Sequence, residues 1–220
     1  MAKHLRVATL LGFILSSLFI FSSDQAGSSS VGFTLDFPGA NPSHYEIKVT
    51  SDGHGSYSSN GLLTNDATPA DPITLEFSLS DKVRQQIFDL AKRAKYFNGN
   101  VDSGRKNIAN TGAKTLSYKD GKRTTQATYN YSLVPAVAQL TEVFQNLSTT
   151  LEFGRRLTYF HKYQKLALDD DLKRMEELAQ TNSLGDVRAI APVLESIGND
   201  PTVMNMTRAR ALRLLGPSKT

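Results

Sequence analysis

The chain is 220 residues long, contains no Cys and no Trp, and carries 25 Lys+Arg against 21 Asp+Glu, a formal net charge of +4. Zero cysteines exclude a disulfide framework, thiolate metal clusters, a Cys nucleophile and a lipid-modified N-terminal Cys, so stability has to come from a packed core. The basic excess is spread as +1 over residues 1–26, +1 over 27–151 and +2 over 152–220, and no segment has the concentrated charge of a nucleic-acid binder.

Lys3 and Arg6 precede the uncharged run Val7–Phe21 (VATLLGFILSSLFIF), and a polar, small-residue stretch follows through Gly27. That order is the pattern of a secretory signal peptide over residues 1–26, with an uncleaved membrane anchor as the alternative. The expected place is periplasmic or extracellular. Membrane contact is expected only if the segment stays attached.

Beyond a Ser/Gly linker, Val31–Phe37 alternates in the strand manner until Pro38, Gly39, Asn41 and Pro42 break it. Tyr45–Thr50 alternates again, with Tyr45, Ile47 and Val49 on one face, and Asp52-Gly53 turns the chain into a partner strand at Ser56–Ser58. A polar loop carrying Pro69 and Pro72 leads to a strand at Ile73–Leu79. Ser78 or Ser80 then suits a hydroxyl N-cap, and Val83, Ile87, Leu90, Ala91 and Ala94 recur at helical spacing up to a stop near Phe97.

Lys114–Tyr118 and Arg123–Tyr131, joined through Asp120-Gly121, read as a hairpin. Pro135 opens a helix whose stripe is Val137, Leu140, Phe144, Leu147 and Leu151. From Glu152 onward only helical segments are predicted: Phe153–Leu168, Leu172–Gln180, Val187–Ile197 and Val203–Leu215. The expected fold class is α+β: an antiparallel sheet (meander plus hairpin) packed by two helices, followed by an all-helical C-terminal segment. The expected division is an α+β domain over 27–150 and a helical subdomain over 151–220.

The stretch Tyr45-Glu-Ile-Lys-Val-Thr-Ser-Asp-Gly53 with Tyr57, the helix ending Ala94-Lys95-Tyr96-Phe97, and Thr115-Leu-Ser-Tyr118 turning through Asp120-Gly121 into Tyr129 carry a likeness. Residues 31–150 resemble a bacterial exported α+β domain family of uncharacterised function. Arg188–Leu215, with Asp200-Pro201 between two helices, is similar to one unit of a HEAT-type helical repeat, which would have to dock on its neighbours. Neither resemblance implies a catalytic residue.

Four constellations invite chemistry. Gly112-Ala113-Lys114-Thr115 has the flavour of a phosphate loop, but Ala113 separates Gly from Lys, and a loop entering a strand is the simpler reading. Asp52 and His54, with His44, suggest a metal, but no HxxxH or HxH pair exists and Asp-Gly accounts for itself as a turn. His161 with Asp169, Asp170 and Asp171 suggests acid–base work, yet no G-x-S-x-G elbow accompanies it and the aspartates suit the start of the next helix. Lys92, Arg93, Lys95, Arg105, Lys106, Lys122 and Arg123 beside Tyr96 and Phe97 suggest an anion surface, against ordinary solvated lysines.

The densest mixture of aromatic and basic residues is Arg155, Arg156, Tyr159, Phe160, Lys162 and Tyr163, types enriched at protein interfaces. These six are the candidate interaction surface, with docking of the helical tail as the competing use. No catalytic, cofactor-binding or metal-ligating residue is assigned. The expected function is a non-enzymatic binding or structural module of the cell envelope, its partner another envelope protein and not nucleic acid. The alternatives are an envelope hydrolase acting on wall or carbohydrate material and a membrane-anchored peripheral protein.

Overall fold

The computed structural model describes residues 28–63 and 73–216. The segment expected to be a signal peptide and the loop carrying Pro69 and Pro72 lie outside the described residues.

Six strands form one antiparallel sheet: β1 (Ser30–Asp36), β2 (His44–Thr50), β3 (His54–Ser59), β4 (Ile73–Ser78), β5 (Ala113–Lys119) and β6 (Thr124–Tyr129). Their order is β4-β3-β2-β1-β5-β6, so the meander grows outward from β1 on one side and the hairpin joins β1 on the other. The register places Phe33 between Ile47 and Leu116, and Val31 between Val49 and Tyr118. With a period of two, this lines one face with apolar side chains and leaves Glu46 and Lys48 on the other.

Two helices cover the apolar face. The first, α1 (Asp81–Arg93), buries Ile87, Leu90 and Ala91. The second, α2 (Pro135–Tyr163), lays the expected stripe across the sheet, with Phe144 stacked on Phe33 at 5.4 Å between ring centroids. After it come α3 (Leu168–Gln180), α4 (Ala191–Asn199), preceded by a tight turn at Val187–Ile190, and α5 (Asn205–Leu215). The α+β class and its helical C-terminal part are therefore as expected.

Details differ from the sequence reading. The α2 helix is one element of 29 residues where two were expected, and it runs through residue 150, the expected domain boundary. Glu152 does not interrupt it, because its carboxylate is satisfied inside the protein by side chains of β3 and by Arg155. Ser80 occupies the N-cap of α1, but its hydroxyl makes no capping bond. Its backbone N–H instead donates to Asp186 Oδ2 at 2.6 Å, a carboxylate from the helical part.

The α1 helix also stops at Arg93, short of Phe97. Lys95, Tyr96 and Phe97 have φ of 52°, 54° and 62°, three successive non-glycine residues in the left-handed region. Phe97 is buried by that reversal, and Thr125 Oγ1 donates to Tyr96 O at 2.5 Å. Tertiary contacts hold a conformation that L-residues disfavour by about 1–2 kcal/mol each.

Candidate functional site

A groove of about 360 Å³ lies where the β1–β2 loop and the segment leaving β3 face α2 and α3. Asn41, Pro42, Leu62 and Leu63 form one wall, and Ser148, Thr149, Glu152, Phe153 and Arg156 of α2 with Arg174 and Leu178 of α3 form the other. The junction of two structural layers is a common place for a ligand cleft.

The first wall is knitted by side chains. Asn41 Oδ1 accepts from Leu62 N at 2.7 Å, and Asn60 accepts from His44 N and donates to Ser43 Oγ, both at 3.0 Å. Gly61 approaches closely there: a Cβ would come within 3.1 Å of Arg155 Nη2 and of Glu152 Oε2, so those side chains would have to give slightly. The backbone thus rests on a buried ion pair.

Glu152 Oε1 accepts from Tyr57 Oη at 2.8 Å and from Ser59 Oγ at 2.6 Å. Its Oε2 accepts from Arg155 Nε at 3.0 Å and Nη2 at 2.7 Å. A carboxylate has about four acceptor positions, so Glu152 has none left with which to take a substrate proton. Tyr57 also shares a hydrogen bond with Ser148 at 3.2 Å. Burial, then the neighbouring Glu152 charge, pushes the Tyr57 phenol far above its ordinary value, and burial does the same to Tyr45. Both phenols lie behind the groove lining and keep their protons at neutral pH.

The rim is cationic. Arg156 Nε donates to Asp171 Oδ2 at 2.9 Å, and its guanidinium lies 4.3 Å above the Phe153 ring. Arg174 is exposed and makes no ion pair among the described residues.

The six candidate surface residues do not share one exposed face. Arg155 is turned inward onto Glu152, each side chain only 10% exposed, and Phe160 is buried at 8%. Arg156 belongs to the groove. Tyr159 packs against Phe160 and Tyr163, leaving Lys162 and Tyr163 exposed, with the Lys162 ammonium 5.0 Å from the Tyr163 ring centroid. A 29-residue helix turns every face past the protein once per turn, so a run of six consecutive-zone residues is divided between core, groove and solvent.

His161 is paired with an acid, but not with the aspartates nearest in sequence. Its Nε2 lies 2.8 Å from Asp200 Oδ2, which also accepts from Lys165 Nζ at 2.7 Å. Thr202 donates to Asp200 Oδ1 through N at 2.9 Å and Oγ1 at 2.7 Å. Lys165, then Thr202 and His161, hold the Asp200 carboxyl well below the usual range. Asp169 pairs with Arg210 and Asp171 with Arg156. A shallow open depression beside His161 is lined by Pro192, Glu195, Ser196 and Asn199.

Lys114 is nearly enclosed, and its Nζ donates to Thr111 O at 3.0 Å, Gly112 O at 3.2 Å and Asn130 O at 2.9 Å. This is the reverse of a phosphate loop, since carbonyls rather than amides converge; burial lowers its pKa. Asp52 accepts from Thr50 Oγ1 at 2.5 Å and His54 N at 3.1 Å and so makes the turn, while His44 Nδ1 sits 2.6 Å from Asp36 on the surface. No metal-competent group of three or more His, Asp or Glu exists among the described residues. Of the supposed anion surface, Phe97 is buried, and Arg123 lies over Tyr96 at 4.1 Å while paired with Asp120.

Sequence reasoning missed Ser59, Glu152 and Arg174 as residues of this site, and placed Tyr57 only as part of a strand. One signal was present, a charged residue between Leu151 and Phe153 with an Arg three positions on, the helical ion-pair spacing. Among the described residues no helix is long and apolar enough to cross a membrane. Comparison with protein-family models and with curated proteins finds no match.

Proposed function

We propose that this chain is an exported, non-enzymatic binding module of the cell envelope, and that it works through the groove between the β1–β2 loop and helices α2 and α3. The observation that carries the reading is Glu152. The carboxylate facing the groove has all its acceptor positions occupied, while the rim presents Arg156 and Arg174. Such a site attracts and orients a ligand without a group to transform it. The basic start at Lys3 and Arg6, the apolar run Val7–Phe21 and the absence of cysteine support export.

Affinity capture from an envelope extract tests it, with the full chain as bait and Thr149→Trp, which fills the groove, as control. A component held by the first and lost by the second supports the reading. Retention of the same components by both, or of none by either, overturns it.

A second reading, an envelope hydrolase, draws on the His161–Asp200 pair beside an open depression. An oriented imidazole is one part of a general base. Hydrolysis of wall or carbohydrate material that disappears in His161→Gln supports this alternative, and activity unchanged by His161→Gln removes that site from it.

A further inference from the structure

The groove also carries information about what it binds. One long wall comes from the flanks of α2 and α3, beyond the first turn of each helix. Amides there are spent on carbonyls four residues back. On the facing segment, Leu62 N is already given to Asn41. Phosphate sites are commonly built from helix N-termini and successive loop amides, and the lining residues of the two helices supply neither.

Recognition of an anion therefore falls to guanidinium groups. Among the described residues Arg174 makes no ion pair and Arg156 uses only its Nε, on Asp171, while Phe153 stacks under its plane. The charge of Glu152, which would repel an anion, is matched by Arg155 at 2.7 Å. Planar forks of N–H donors match a planar carboxylate in two parallel hydrogen bonds. Around them the lining is mixed, with the apolar side chains of Pro42, Leu62, Leu63 and Leu178 beside the polar Asn41, Ser148 and Thr149. A volume of about 360 Å³ lies at the small-molecule end of ligand pockets.

We infer that the groove takes a small organic monocarboxylate, its carboxylate held between Arg174 and Arg156 and its apolar body against Leu62, Leu63 and Leu178. This rests on the reading of the groove as the binding site.

Titration of the isotope-labelled full chain followed by NMR tests it, with octanoate as probe and octan-1-ol and inorganic phosphate as comparisons. Octanoate is expected to bind saturably and to shift amides of residues 148–156 and 174–178, with octan-1-ol at least about 10-fold weaker and phosphate unable to displace it. Arg174→Gln weakens octanoate by about 10-fold or more and leaves octan-1-ol unchanged; Arg174→Lys, which keeps the charge without the fork, recovers only part. Equal binding of octan-1-ol, displacement by phosphate, an unchanged affinity in Arg174→Gln, or no saturable octanoate binding each overturns the inference. If octanoate fails while capture remains sensitive to Thr149→Trp, the ligand class is wrong and the groove remains the binding site.

Discussion

Tyr57 on β3 donates its phenol hydrogen to Glu152 Oε1 on α2 at 2.8 Å, across 95 positions of sequence. That bond, with the Ser59 and Arg155 bonds to the same carboxylate, clamps the edge half of the sheet to the middle of the longest helix described. The carboxylate that it engages also faces the groove.

If Glu152 is an anchor, removing it leaves the Arg155 charge nearly buried and unmatched. Breaking such a pair from one side costs about 3–5 kcal/mol, whereas losing one hydrogen bond to a charged acceptor costs about 1.5–3 kcal/mol. Glu152→Ala is therefore expected to lower stability by about 4 kcal/mol and Tyr57→Phe by about 2 kcal/mol, read as shifts in the urea midpoint at constant slope. A Glu152→Ala shift no larger than that of Tyr57→Phe would show that the carboxylate is not holding the layers together.

Alkaline pH gives a second test. Burial pushes the Tyr129 phenol from 10.0 up to about 12, and Tyr57 and Tyr45 rise further. Above the ordinary phenol value the unfolded chain loses protons that the folded chain keeps, so the unfolded state binds fewer protons and stability falls as pH rises. The stability from Tyr129 is fully present below pH 10.0 and is lost progressively toward about 12. Lys114, lowered by burial, acts oppositely below its ordinary 10.5. Denaturation midpoints between about pH 9 and 11 are expected to decline in the wild type, and the decline in Tyr129→Phe should be shallower by up to about one proton. An identical slope in the two proteins would count against a buried, protonated Tyr129.

What was legible in the sequence was local. Alternation in Tyr45–Thr50, the Asp-Gly turns at Asp52 and Asp120, and the Val137-to-Leu151 stripe specify strands, hairpins and a covering helix through periods of two and 3.6. The groove was not legible, because it joins β3 to α2 and α3 through pairings such as Ser59 with Glu152, 93 positions apart. The same limit hid the acid beside His161. Asp169–Asp171 lie nearer in sequence, but Asp200, 39 positions on, is the residue that the turn before α5 brings to it.

The reversal after α1 stores strain that a single exchange should release. Lys95 is exposed with φ of 52°, so its side chain gains little from packing while its Cβ opposes the left-handed backbone. Lys95→Gly removes that opposition at some cost in unfolded-state entropy, for a net gain of about 0.5–1 kcal/mol. Lys95→Ala keeps the Cβ and should gain nothing. Thermal unfolding of the two variants side by side distinguishes relief of backbone strain from loss of the lysine side chain. Equal midpoints would mean that the left-handed turn is not adopted.

Phe160 and Tyr163 stand three positions apart on α2, and the structure assigns them opposite roles. Phe160 is 8% exposed and belongs to the shared core, whereas Tyr163 is 61% exposed. Phe160→Ala should cost about 3–5 kcal/mol by opening a cavity. Tyr163→Ala should stay within about 0.5 kcal/mol of the wild type. Chemical denaturation of each single variant checks both figures. The contrast also governs binding experiments: a partner lost only in Phe160→Ala reports damaged folding, and a partner lost in the stably folded Tyr163→Ala reports a surface at Lys162 and Tyr163. Comparable destabilisation by the two exchanges would mean that Tyr163 is covered in solution, by this chain or by another.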